Sequence, residues 1–266
     1  MGSKNLQGSL MSTHLILPDP HAHPNFHNDR ADWVGKLIAD LKPDVVINMG
    51  DAADLASLSS YDKGKASFAG RNYQLDIESH LDFQERMWAP IRKLRRKLPY
   101  RVVLEGNHEY RIKKALEYDP QLAGDRYGLS FKDLDFDSHY QSVVEYKGNT
   151  PGIITIDGVS YSHYFISGVM ARPIGGVNHA SSLINKNYVS CTCAHSHLVD
   201  WAVRSNTQGK QIMGLVAGVY QDYDSGWAGH VNQLWTSGVW IKRGVEDGVY
   251  DPEFVSMRRL KQIYGS

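Results

Sequence analysis

The chain has 266 residues, 42% of them hydrophobic and 22% charged, which suits one substantial soluble α/β domain or two small ones. Lys+Arg and Asp+Glu number 29 each, so no net field draws the protein to nucleic acid or to an anionic membrane. No apolar run approaches the roughly 18 residues of a membrane helix, and the start has no signal-peptide pattern, so a cytoplasmic, membrane-free protein is expected.

Residues 1–10 are polar and patternless and read as a vector remnant or disordered lead before a single domain over 11–266. His14–Leu17 is a short apolar run that ends in Pro18-Asp19-Pro20-His21-Ala22-His23-Pro24, where prolines block a helix and leave a loop. Asn28 or Asp29 can cap a helix whose apolar positions Trp33, Leu37, Ile38 and Leu41 recur at helical spacing before Pro43. Asp44–Met49 is a β-branched run ended by Gly50-Asp51, which completes a βαβ unit with parallel strands. Residues 55–73 lack periodicity and read as a long surface loop; together with the helix that follows, they make 55–98 a candidate lid.

Leu75–Leu98 carries an apolar face (Leu75, Ile77, Leu81, Met87, Trp88, Ile91) and a basic end over 92–97, which favours the helix dipole. Arg101–Leu104 is strand-like and leads into Gly106-Asn107-His108-Glu109, then a helix to about Tyr118 and an irregular segment over 119–139. From there the pattern turns to short strands over 140–146, 153–156, 159–163, 188–194, 198–203, 211–216, 233–241 and 249–257, with one helix over 177–187. Two mixed sheets packed face to face with helices outside, an α/β fold of four α/β/β/α layers, fit this order without a dividing linker. Cys191 and Cys193 are too close in sequence for a disulfide and read as buried, reduced thiols.

The polar residues directly after predicted strands form an ordered set: Asp19 and His21, Asp51, Asn107 and His108, His163, then His195 and His197. Asp19-x-His21 and His195-x-His197 each set two donors two residues apart, so an extended loop can aim both at one centre. Any one of these is ordinary; five strand ends in order point to a site.

In this the sequence resembles the calcineurin-like metallophosphoesterase superfamily, whose pattern runs D-x-H, G-D, G-N-H-D/E, H and G-H-x-H. The match is Asp19-Pro20-His21, Gly50-Asp51, Gly106-Asn107-His108-Glu109, His163 and Ala194-His195-Ser196-His197, with Ala194 where glycine is usual and Ser162 and Tyr164 beside His163. The resemblance implies a four-layer sandwich and two divalent ions, manganese foremost, with iron, zinc, nickel or magnesium also suiting the donors. It places Asp19, His21 and His197 on one ion, Asn107, His163 and His195 on the other, and Asp51 between them. A metal-bridging hydroxide would then attack phosphorus in a phosphomono- or phosphodiester, with His108 as general acid to the leaving group. Glu109 and Asp54 read as helix-start or surface carboxylates with the reach to orient a histidine.

Protein phosphatases of the superfamily carry G-D-x-x-D-R-G, whereas here Asp51 is followed by Ala52-Ala53-Asp54-Leu55-Ala56, without the arginine. The stretch Gln233–Val239 is similar to tails of small phage-encoded members, which would put the protein in a host cytoplasm. The expected partner is a small, nucleotide-like phosphoester. Two alternatives stand beside it: a nuclease guided by Tyr61, Phe68, Tyr73 and the basic stretch at 92–97, which the balanced charge disfavours, and a non-catalytic scaffold, which would need no metal set. Composition says nothing about oligomeric state.

Overall fold

In the computed structural model, which describes residues 11–94, 97–124 and 128–265, β1 (Ser12–Leu17), α1 (Asp29–Leu41) and β2 (Val45–Asn48) form the expected βαβ unit. β1 and β2 run parallel, with His14 opposite Val45 and Leu17 opposite Asn48. α1 buries Trp33, Val34, Leu37 and Ile38 and ends where Lys42 turns left-handed and its N–H closes on the Ile38 carbonyl. Asn28 stands at the N-cap but does not cap: its amide donates to the Ser79 carbonyl at 2.8 Å and to Asp82 at 2.9 Å, tying α1 to α2 (Tyr73–Lys93).

Next come β3 (Tyr100–Leu104), α3 (Tyr110–Tyr118), α4 (Phe136–His139), β4 (Ser142–Val144), β5 (Ile154–Ile156) and β6 (Val159–Tyr161). A small hairpin pairs β7 (Ile166–Ser167) with β8 (Arg172–Pro173) before α5 (His179–Asn187) and β9 (Cys191–Cys193). The chain then forms β10 (Val199–Ser205), β11 (Gln211–Ala217), β12 (Gly238–Glu246), β13 (Val249–Ser256) and α6 (Met257–Tyr264). One sheet has the order β13-β12-β1-β2-β3-β4 and the other β10-β11-β9-β6-β5.

The strand alternation sets the layers. Leu15 and Leu17 of β1, with Val46 and Val103, pack on the helix side with Trp33, Met87 and Trp88. Ile16, Ile47, Val102 and Leu104 point the other way, into a core between the sheets that holds Tyr161, Leu215 and Trp240. On the far side of the second sheet, Cys191, Cys193 and Val216 meet Ala180 and Leu183 of α5. Helix, sheet, sheet and helix thus stack in the four expected layers, and both cysteines are buried and free. No helix among the described residues is long and apolar enough to cross a membrane.

Several elements differ from the sequence reading. Residues 55–73 contain three single-turn 3-10 helices. They are stitched to themselves and to α2: Arg71 donates to the Ala56 carbonyl and to Asp62, and the Ser57 N–H donates to Asp76. Two further 3-10 turns, Pro120–Leu122 and Phe131–Leu134, occupy part of the segment expected to be irregular. The strand expected from Gln233 starts only at Gly238, because Gly229–Leu234 is a 3-10 turn. α6 was not foreseen; Ser256 caps it and Met257 and Leu260 bury one face. The lead over 1–10, and Arg95 and Arg96 of the basic stretch, lie outside the described residues.

His80 of α2 is fully buried and donates from Nε2 to the Leu134 carbonyl at 3.0 Å, so burial pushes its pKa down to about 4. A histidine depressed in the folded state takes up its proton more readily when unfolded, so stability is complete above about pH 6.5 and declines toward pH 4. His80→Gln should flatten the fall of stability across that window, by up to roughly 1.4 kcal/mol per pH unit. Thermal melts of both proteins from pH 7 to pH 4 check this; parallel curves would count against it.

Candidate metal centre

Every residue the sequence singled out lies at the carboxyl end of a strand or in the loop just past it, where open α/β sheets place their ligands. Asp19 and His21 follow β1, Asp51 follows β2, Asn107 and His108 follow β3, His163 follows β6, and His195 and His197 follow β9. Five of them have left-handed backbone: Asp19 (φ 38°), His21 (43°), Asp51 (48°), His195 (66°) and His197 (58°). That region costs a residue with a Cβ of order 1 kcal/mol, and such strain gathers where side-chain aim matters more than stability. Here the turns fold the donors inward.

The aim gives two groups. Asp19, His21 and His197 converge: the Nε2 atoms of His21 and His197 face each other at 3.2 Å, and His197 Nε2 stands 3.3 Å from Asp19 Oδ2. Asp51, His163 and His195 form the other group, with His163 Nε2 3.4 Å from Asp51 Oδ2 and 3.0 Å from Asn107 Oδ1. Asp51 Oδ2 is also 3.6 Å from His21 Nε2, so one carboxylate faces both groups. His108 comes close as well; His21, Asp51 and His108 form a third potential ligand triad, although His108 Nε2 is 3.9 Å from Asp51.

The donors suit divalent cations. Asp19 Oδ1 is buried with no hydrogen-bond partner, a costly arrangement unless a cation takes it up. Two ring nitrogens turned away from the centre have neighbours that set the ring: His163 Nδ1 donates to the Met49 carbonyl at 2.9 Å, and His21 Nδ1 stands 3.4 Å from Asp54 Oδ2. That outer contact fixes which nitrogen is presented. Burial works against charge on His163, but the Asp51 and Asp19 carboxylates outweigh it and raise its pKa to about 10. Burial would raise Asp51, yet His163, His108 and His21 hold it well below the usual carboxylate range. The centre thus gathers cations around its carboxylates.

Gly106 and Glu109 explain how the two strand ends stay in register. A Cβ on Gly106 would stand 2.2 Å from Asp51 Oδ1 and 2.3 Å from its backbone nitrogen, so only glycine lets the loops approach this closely. Glu109 is fully buried, and its carboxylate accepts from the N–H groups of Asp51 (3.0 Å), Ala53 (3.0 Å) and Gly106 (2.8 Å). Glu109 does stand at the start of α3, but neither it nor Asp54 is a surface carboxylate: both are buried at the centre. A helix start cannot reveal this, because two of the three donors, the Asp51 and Ala53 N–H groups, come from a loop more than fifty residues away in sequence.

His108 is 7% exposed; its N–H donates to Asp51 Oδ1, its Nδ1 donates to the Asp54 carbonyl at 2.5 Å, and its Nε2 accepts from Arg111 at 2.9 Å. Burial and the Arg111 charge push its pKa down to about 3, so the ring is neutral in this state. Residues the sequence reading passed over also border the centre. Trp235 sets its ring edge-on to His197 at 4.3 Å, Tyr164 lies 4.8 Å from the His195 ring, and Tyr223 donates from its hydroxyl to the His21 carbonyl. Trp235 and Tyr223 also line a pocket of about 360 Å³ with Gln221, Asp222 and Asp224. So the loop between β11 and β12 flanks the centre. Gln233–Val239 drew attention only as a tail, and nothing in its pattern ties it to His197.

Two facing sheets with paired His/Asp groups at their strand ends define an α/β protein with a candidate metal centre. The family model for calcineurin-like phosphoesterases matches residues 13–200, most of the chain and all of the motifs. The protein belongs to that family. No curated protein matches the chain.

Proposed function

We propose that the protein is a dimetal-dependent phosphoester hydrolase acting on small phosphomono- or phosphodiesters. One observation carries the reading: Asp51 faces two separate groups of donors, Asp19/His21/His197 and His163/His195 with Asn107. Those residues would hold two ions, manganese foremost, and such a pair supplies electrophilic charge to a phosphoryl group and lowers the pKa of a water.

The chain's own residues do the rest. Asp54 and the Met49 carbonyl orient the His21 and His163 rings, and Glu109 keeps the Asp51 loop against Gly106. His108 Nε2 is the atom that would deliver a proton to the departing oxygen. In the present state it accepts from Arg111, so the proton must be gained as substrate arrives. His108→Ala is expected to retain metal while kcat falls by roughly 10²–10⁴-fold for alkyl esters and far less for nitrophenyl esters, whose leaving group needs no proton. Metal content by atomic emission beside kcat for both ester types checks it; an emptied centre would make His108 a ligand.

The nuclease reading draws less support. Tyr73 is partly buried against the core with its hydroxyl on Ser130 and Asp133, and the Phe68 ring lies against Arg71, which leaves Tyr61 as the exposed aromatic of the three. Turnover of mono- and bis-nitrophenyl phosphate and of labelled single-stranded DNA, before chelation and after manganese is restored, tests the proposal. Aryl phosphate turnover that is lost on chelation and restored by manganese is the expected result. DNA as the better substrate would favour the nuclease, and no turnover of any of them with manganese present would favour a scaffold.

A further inference from the structure

We infer that Arg111 binds the phosphoryl group of the substrate, a role that rests on the phosphoesterase reading above. Arg111 lies in the first turn of α3, three residues after His108, and the turn that opens the helix, in which the Arg111 N–H donates to the His108 carbonyl at 3.0 Å, brings the two side chains together. Its side chain is only 18% exposed. One guanidinium nitrogen donates to the Asp54 carbonyl at 2.9 Å and the Leu55 carbonyl at 3.2 Å; the other donates to His108 Nε2 at 2.9 Å. His108 Nε2 in turn stands 3.9 Å from Asp51 Oδ2, the carboxylate that faces both donor groups. A single phosphoryl group can span from the candidate metal centre to this guanidinium.

Charge accounts for what the cation does there. Its carboxylate contact among the described residues, Asp54 Oδ1, is 4.0 Å away, too far for the paired bonds by which arginine usually settles a carboxylate. Two divalent ions beside Asp19 and Asp51 would leave the centre positive, and a partly buried guanidinium adds to that repulsion. Such an excess is relieved when an anion joins, and a planar guanidinium matches phosphate oxygens two at a time.

The test is inorganic phosphate binding to the manganese-loaded protein, measured by calorimetry, beside hydrolysis of nitrophenyl phosphate. Arg111→Met should weaken phosphate binding at least about tenfold with manganese content unchanged. Arg111→Lys, which keeps the charge but loses the fork, should fall between the two and covers the case in which the methionine variant does not fold. Wild-type phosphate affinity in a fully metallated variant would overturn the inference while leaving the phosphoesterase reading intact. If the unsubstituted protein neither bound phosphate nor hydrolysed the ester, that reading would fall and this one with it.

Discussion

Asp51→Asn is expected to cost both metal and activity, with kcat/KM falling by at least roughly three orders of magnitude. Asp51 Oδ2 faces His163 at 3.4 Å and His21 at 3.6 Å, while Oδ1 accepts the His108 N–H. An amide keeps the shape but removes the charge, and it presents a donor to one of those neighbours. Both donor groups therefore lose their shared carboxylate in one change. Metal analysis after dialysis should find less than one ion per chain. A variant that kept two ions and lost only turnover would mean that Asp51 acts on substrate and not on metal.

Glu109→Gln should have the second largest effect, and it should act at a distance. The Glu109 carboxylate satisfies three buried N–H groups, those of Asp51, Ala53 and Gly106. A glutamine turns an NH₂ toward at least one of them, at about 1–3 kcal/mol for each buried N–H left unpaired. The Asp51 loop should then loosen against Gly106, with metal affinity lowered by about 10–100-fold, as is usual when an outer support is lost. Burial and the Asp51 charge push the Glu109 pKa up to about 7. A carboxyl raised in the folded state contributes stability that is full below its unfolded pKa near 4.5 and is lost as pH rises through about 7. The metal-free protein should lose that contribution on going from pH 5 to pH 8, and the glutamine variant should not. Melting curves of metal-free wild type and variant at the two pH values decide it.

What the sequence could reveal divides along a physical line. Layers and ligand candidates were legible because they obey local rules: the β-branched run before Gly50-Asp51, the helical spacing of Trp33, Leu37 and Ile38, and a polar residue at each strand end. Asp19-x-His21 and His195-x-His197 declared themselves by spacing. Contacts made across the chain were not legible. Glu109 looks like any acidic helix start until the Asp51 and Ala53 N–H groups are seen to reach it. Trp235 lies 38 residues beyond His197 yet meets its ring. Arg111 had a signal that could have been read, since it is a cation three residues past His108, across the turn that opens α3. α6 was missed because eight residues with two buried apolar side chains give too short a pattern to stand out.

On the proposed reading, one chain holds two ions through Asp51. The most direct measurement is a crystal of manganese-loaded protein with inorganic phosphate, read by anomalous scattering. Two peaks are expected, one ligated by Asp19, His21 and His197, the other by Asn107, His163 and His195, with Asp51 touching both and His108 touching neither. A single peak, or an ion bound through His108 with Asp51 on one side only, would contradict the account.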